Sequence, residues 1–189
     1  KRNSQMPTLV LGLIIWWGAH LFKRIAPKAR RGMGSTGKPA VAAALILSVL
    51  LMIWGYRGAP VGEVWWGPTP ALKGINNLLV LAGIYLFAAS GMKTGITRRI
   101  RHPQLVGFSL WAFAHLLVNG DLPSLVLFGG LLAWAIVEII VINRTEPGWQ
   151  PPAHPIPIRK EGMAVVGTLL VFGVVGMIHA WLGYNPFGG

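Results

Sequence analysis

The 189-residue chain contains no cysteine. Disulfides, thiolate-bound zinc or iron–sulfur centres, a cysteine nucleophile and covalent c-type haem attachment are therefore all excluded. Acidic residues are nearly as scarce, five Asp and Glu against 17 Lys and Arg. So few carboxylates leave no acid/base pair of the kind glycosidases use, and Glu138 stands alone in its apolar run. Charged residues make up only 12% of the chain, about half the share in an ordinary soluble domain. The usual hydrolase and nucleotide motifs are absent too: there is no Gly-x-Ser-x-Gly, His-Glu-x-x-His or Walker loop.

What the chain has instead is apolar sequence, 53% of its residues. It falls into runs long enough to cross a bilayer, for which about 20 residues suffice. Six spans are expected, at about residues 7–22, 40–56, 75–92, 103–118, 122–142 and 163–182. None alternates with period two, and each is too long for a barrel strand. The predicted fold class is therefore all-α, a polytopic integral membrane bundle, because a helix satisfies its own backbone in lipid. Asn119-Gly120-Asp121-Leu122-Pro123 divides the longest run into a helical hairpin, since Asn, Gly, Asp and Pro favour a turn. The first run is not a cleavable signal: it lacks a small-residue cleavage site, and Trp16-Trp17 is out of place in such a segment. The sequence leaves open whether the natural chain starts at Met6. The segment 146–157 carries Pro147, Pro151, Pro152, Pro155 and Pro157 and cannot be helical. No internal repeat or second domain is evident, so residues 1–189 are read as one membrane domain.

The net charge of +12 does not point to nucleic acid, because the basic residues lie between apolar spans. Thirteen of the 17 fall in the loops after spans one, three and five. The positive-inside rule puts those loops in the cytoplasm and both termini outside. Tyr56, Trp65 and Trp66 then lie near the outer interface, where amphipathic rings settle. The expected setting is a bacterial inner membrane, with lipids as the first partners. Gly83, Gly91, Gly167, Gly173 and Gly176 are candidates for close helix contacts.

Polar side chains inside a membrane are costly, and each is a functional candidate. Here they are His20, Asn76, Asn77, His115, Glu138 and His179, with His102 at a span entrance and His154 in the Pro-rich loop as a solvated residue. Neutral imidazole in an apolar bundle is the usual ligand of b-type haem, which needs no cysteine. By helix rise His20 lies roughly 20 Å from the outer edge and His115 roughly 20 Å beyond His102. Depth alone pairs His20 with His102 and His115 with His179, and offsets His20 from His115 by roughly 10 Å. The cluster Arg98-Arg99-Ile100-Arg101-His102-Pro103 is either an interfacial anchor or a site for an anionic group such as a haem propionate, a lipid headgroup or a carboxylate. Plain structural roles stand beside these. His20 and His115 would bond backbone or a neighbouring helix, Asn119 and Asp121 would make the turn, and Glu138 would pair with Arg144 or an arginine of 98–101.

The segments Arg101-His102-Pro103-Gln104-Leu105-Val106-Gly107 and Trp111-Ala112-Phe113-Ala114-His115-Leu116-Leu117-Val118-Asn119-Gly120-Asp121 resemble the central signature of the NnrU family. Gly18-Ala19-His20-Leu21 before a basic loop resembles its start. The likeness covers nearly the whole chain, while the shorter Arg-His-Pro…Gly element also recurs in membrane methyltransferases of the isoprenylcysteine type. The family's members are associated with denitrification and nitric oxide metabolism, and it includes the 15-cis-zeta-carotene isomerases. The resemblance implies haem b as cofactor, with His20 and His115 as the metal ligands; Arg101 and His102, of the basic helix entrance, are further cofactor-binding candidates on charge and depth. In the isomerase a cysteine lies three residues before the second histidine. This chain has Ala112 there, so exchange between histidine and cysteine ligands is excluded. An isomerase reading would have a polyene or carotenoid bound among Trp and Phe of spans one and four. The alternatives are an accessory subunit of a larger electron-transfer or pigment complex, and a methyltransferase-like enzyme.

Overall fold

A computed structural model describes residues 5–153, 155 and 157–187; His154 and the terminal basic residues Lys1 and Arg2 lie outside them. The described chain is helical: α1 Met6–Ile25, α2 Pro27–Gly32, α3 Gly37–Gly58, α4 Pro70–Met92, α5 Pro103–Val118, α6 Leu122–Ser124, α7 Gly130–Thr145 and α8 Ile158–Trp181. A π-turn, Leu125–Gly129, joins α6 to α7, so that residues 122–145 run as one 24-residue apolar segment. The expected all-α membrane fold is present. Five segments have the length and hydropathy to cross a membrane, and the sixth, α5, is an apolar helix of 16 residues. Between 17% and 28% of each long span is buried. Ile14, Trp54 and Leu78 are more than 60% exposed, an arrangement stable only where lipid replaces water.

The helices begin where their sequences dictate. Proline, whose missing N–H is no loss in a first turn, opens α1, α2, α4 and α5. Thr69 caps α4 by accepting from Leu72 N. Asp121 caps α6, accepting from Ser124 N at 2.9 Å and Ser124 Oγ at 2.7 Å, and the helical run is broken at residues 119–121 as expected. Several helices run longer than the apolar runs alone indicate. α1 carries Lys23 and Arg24, and α8 begins at Ile158 and takes in Arg159, Lys160 and Glu161. No helix forms among the described residues from Glu146 to Pro157.

Contacts gather the helices into two compact units: residues 1–65 with 120–147, and residues 66–119 with 148–189. In the first, α1 packs along α3 and also touches α7. The α1–α3 contact depends on glycine: a Cβ on Gly55 would strike the backbone of Leu9, and one on Gly12 would lie 2.9 Å from Ser48 O. Tyr56 Oη meets Ser124 Oγ at 2.9 Å, and Trp65 N donates to Gly120 O. α1 and α7 are joined by Arg24 Nη1 donating to Glu138 Oε1 at 2.8 Å. Glu138 therefore pairs with a residue of the first basic loop region, not with Arg144 or the 98–101 cluster. The α1 extension causes this, since it carries Arg24 on the stripe of Trp16 and His20.

In the second unit α4 packs against both α5 and α8. Gly83 and Gly107 meet backbone to backbone, each leaving no room for a Cβ beside the other's carbonyl. Glu161 accepts from Gly95 N at 2.6 Å, tying the start of α8 to the loop after α4. Asn77 Nδ2 donates to Pro186 O, and Phe187 covers Gly176. Of the glycines expected at contacts, Gly83 and Gly176 are used. Gly91, Gly167 and Gly173 face open space.

Two outcomes are expected in denaturation of the detergent-solubilised protein. Gly55→Leu and Gly107→Leu each lose at least the roughly 1–3 kcal/mol typical of overpacking, while Gly91→Ala and Gly167→Ala stay close to wild type. Arg24→Met strands the buried Glu138 and costs about 3–5 kcal/mol; adding Glu138→Gln restores most of the loss. Equal stability of the single and double variants would show that the ion pair does not join α1 to α7.

Candidate functional site

His20 and His115 occupy the same local structure, one in each unit. Each follows a tryptophan by four residues on a helix, one turn along the same face. His20 Nδ1 lies 3.0 Å from Trp16 O, and His115 Nδ1 lies 2.8 Å from Trp111 O. A carbonyl only accepts, so in the neutral ring Nδ1 bears the hydrogen and the lone pair sits on Nε2. The indole of the same tryptophan flanks the imidazole, with centroids 4.2 Å apart at His20 and 4.9 Å at His115. The sequence repeats accordingly, as Trp-x-x-Ala-His-Leu at residues 16–21 and 111–116. This six-residue repeat is legible once the spacing from His back to Trp is compared. It is too short to stand out in a search for repeated domains.

In the first unit Trp134 of α7 closes on the His20 ring from another direction, with centroids 4.4 Å apart, and meets Trp16 edge-on at 5.2 Å. One helical turn along both helices comes the Arg24–Glu138 pair. Glu138 is 5% exposed. Its Oε2 and Arg24 Nε are buried without hydrogen-bond partners among the described residues. Arg24 Nη2 also reaches Glu146 Oε1 at 3.6 Å. Trp17, on the neighbouring stripe of α1, donates to Gly130 O at 3.1 Å, directly after the π-turn.

In the second unit the His115 turn lies near the end of α5. Asn119 Nδ2 donates to His115 O at 2.8 Å, and Trp66 Nε1 donates to Leu116 O at 2.8 Å. Ala112 and Ala114 are fully buried. Position 112, three residues before His115, is thus a close-packed methyl. His102 precedes α5 at the N-cap position without capping it through its side chain. It and Arg101 stand 13 or more residues from His115 on the other end of α5, roughly 20 Å away by helix rise, and cannot share one centre with it. Arg98 Nε donates to Pro152 O, so the Pro-rich segment lies back on the basic cluster. His179 has the same backbone bond, Nδ1 to Val175 O at 2.8 Å, with valine in place of tryptophan. No group of three or more His, Cys, Asp or Glu suited to a metal ion occurs among the described residues.

No curated protein and no solved structure matches the chain. The family model described as NnrU protein matches residues 8–186, from the start of α1 to beyond α8. It includes both Trp–His turns and the Arg101–Asp121 signature, and the chain belongs to the NnrU family.

Proposed function

We propose that this NnrU protein is a haem-b-binding membrane protein serving nitrogen-oxide or redox metabolism, in which His20 of one unit and His115 of the other are the residues that would each hold haem iron. The observation that carries the reading is the pair of Trp–His turns. Metal-bound imidazole characteristically donates its second ring N–H to a carbonyl, which fixes the tautomer and raises ligand basicity. Both histidines have that bond already, and in both the ring lone pair lies on Nε2. The ligand chemistry therefore fits haem iron, and the absence of cysteine fits a non-covalently held b-type group. When bound, the haem would supply one-electron chemistry or a site for a diatomic ligand. The chain's own contribution is to fix each ring, to exclude water with Trp16, Trp111 and Trp134, and to hold Arg24 and Glu138 one turn from His20. Arg101 and His102, at the opposite end of α5 from His115, are assigned to the membrane interface. Isomerisation of a polyene is the less favoured activity, since the buried Ala112 removes the thiol found in the isomerase branch.

Absorption spectroscopy of the protein purified after expression with ample haem tests the proposal. An intense Soret band is expected, with His20→Ala and His115→Ala each losing more than half of it, and His179→Ala and His102→Ala retaining it. Trp111→Phe should also retain it, because the carbonyl that holds His115 is backbone. A protein that stays colourless with haem supplied, or a band indifferent to both histidines, overturns the reading. In the colourless case co-purification with a larger membrane complex would favour an accessory role.

A further inference from the structure

In the second unit a groove of about 290 Å³ runs between α4 and α8. Its α4 wall is Leu78, Leu81, Ala82 and Tyr85, one stripe at helical spacing. Across it stand Val165, Thr168 and Leu169. Thr168 donates its hydroxyl to Ala164 O at 2.7 Å, so the groove receives its methyl group and no free polar atom. The hollow exists because Ala82 and Thr168 are small where their neighbours are Leu and Tyr. Its rim, Leu78, Val165 and Leu169, is exposed. The α4 lining extends from Leu78 to Tyr85, seven residues further on and roughly 10 Å along the helix. Its volume equals roughly ten water shares, the scale of a chain segment and far below a helix about 10 Å across.

One end of the groove is polar and basic. Tyr85 Oη lies 3.5 Å from Glu161 Oε2, and Glu161 Oε1 accepts from Gly95 N at 2.6 Å. The Glu161 carboxylate is therefore turned toward the protein. Lys93, Arg159 and Lys160 are exposed there. Lys93 lies eight residues beyond Tyr85, roughly 12 Å, and Lys160 five before Val165, roughly 7 Å. Cationic groups thus stand one headgroup's distance outside an acyl-sized hollow. We propose that this face is a specific site for one anionic phospholipid, its phosphate among Lys93, Arg159 and Lys160 and one chain in the groove. The proposal is independent of haem binding. It concerns a retained lipid, distinct from the exchanging lipids that wet every apolar span.

The test is native mass spectrometry of the full chain in detergent, supplied with either phosphatidylglycerol or phosphatidylcholine of equal chain length. One retained phosphatidylglycerol is expected, at least tenfold preferred over phosphatidylcholine. Ala82→Trp should remove retention of both, with Ala82→Leu as the milder plug if the tryptophan variant does not fold by circular dichroism. Arg159→Glu with Lys160→Glu should abolish the preference while the groove still holds a chain. Equal retention of the two lipids by wild type, or a phosphatidylglycerol adduct unaffected by plug and charge variants alike, overturns the proposal.

Discussion

A polar atom in hydrocarbon has no water to turn to, and that constraint orders this molecule. The helices exist because they close their own backbone bonds. Several side-chain polar groups are then bonded to backbone: His20, His115 and His179 to the carbonyl four residues earlier, Ser109 and Thr168 in the same manner, and Trp17 and Trp66 to carbonyls of other segments. The helix carbonyl is the one acceptor always within reach, so it fixes which nitrogen of each imidazole carries hydrogen. A requirement of solvation thereby becomes a property of the site: three histidines share one tautomer, and two of them are also flanked by a tryptophan of their own turn.

The architecture is legible in the sequence because membrane length and hydropathy are one-dimensional. All six apolar segments are helical where the runs predict, and the Asn119–Pro123 turn is where its residue types put it. The helix ends are less legible, since Lys23, Arg24, Arg159 and Lys160 are charged yet helical. Arg159 and Lys160 are exposed, as long side chains that carry their charge outward can be while the backbone continues the helix. Arg24 is instead neutralised by Glu138. The partner of Glu138 follows from the same point. Reading α1 as ending at Phe22 removes Arg24 from the stripe that faces α7, and the search for a cation then goes to Arg144 or the 98–101 cluster. The contact glycines are not legible individually: Gly12, Gly55 and Gly107 differ from Gly91 and Gly167 only in which helix lies opposite.

The Trp–His turns illustrate a second limit. Each histidine is visible as an isolated intramembrane residue, and depth estimates sort such residues by height alone. Height pairs His20 with His102, yet the two differ in kind. His20 sits inside a helix and bonds the carbonyl one turn back, whereas His102 precedes Pro103 at a helix entrance, in the N-cap position. Local backbone chemistry, and not depth, separates imidazoles held with Nε2 as donor from one placed at an interface.

α5 is the shortest of the six apolar segments. Sixteen residues rise about 24 Å, less than the roughly 30 Å of hydrocarbon in a typical bilayer. A span this short draws its ends inward or thins the bilayer around it. One end carries the Arg98–His102 cluster, whose cations favour headgroups; the other ends in Asn119, Asp121 and Ser124, whose polar atoms are bonded within the turn or to His115 O. His115, four residues from Asn119, is therefore close to a polar boundary while its flanking Ala112 and Ala114 are fully buried. That position combines a close-packed support for the ring with a nearby polar helix end, and both follow from placing the histidine in the last turn of a short helix.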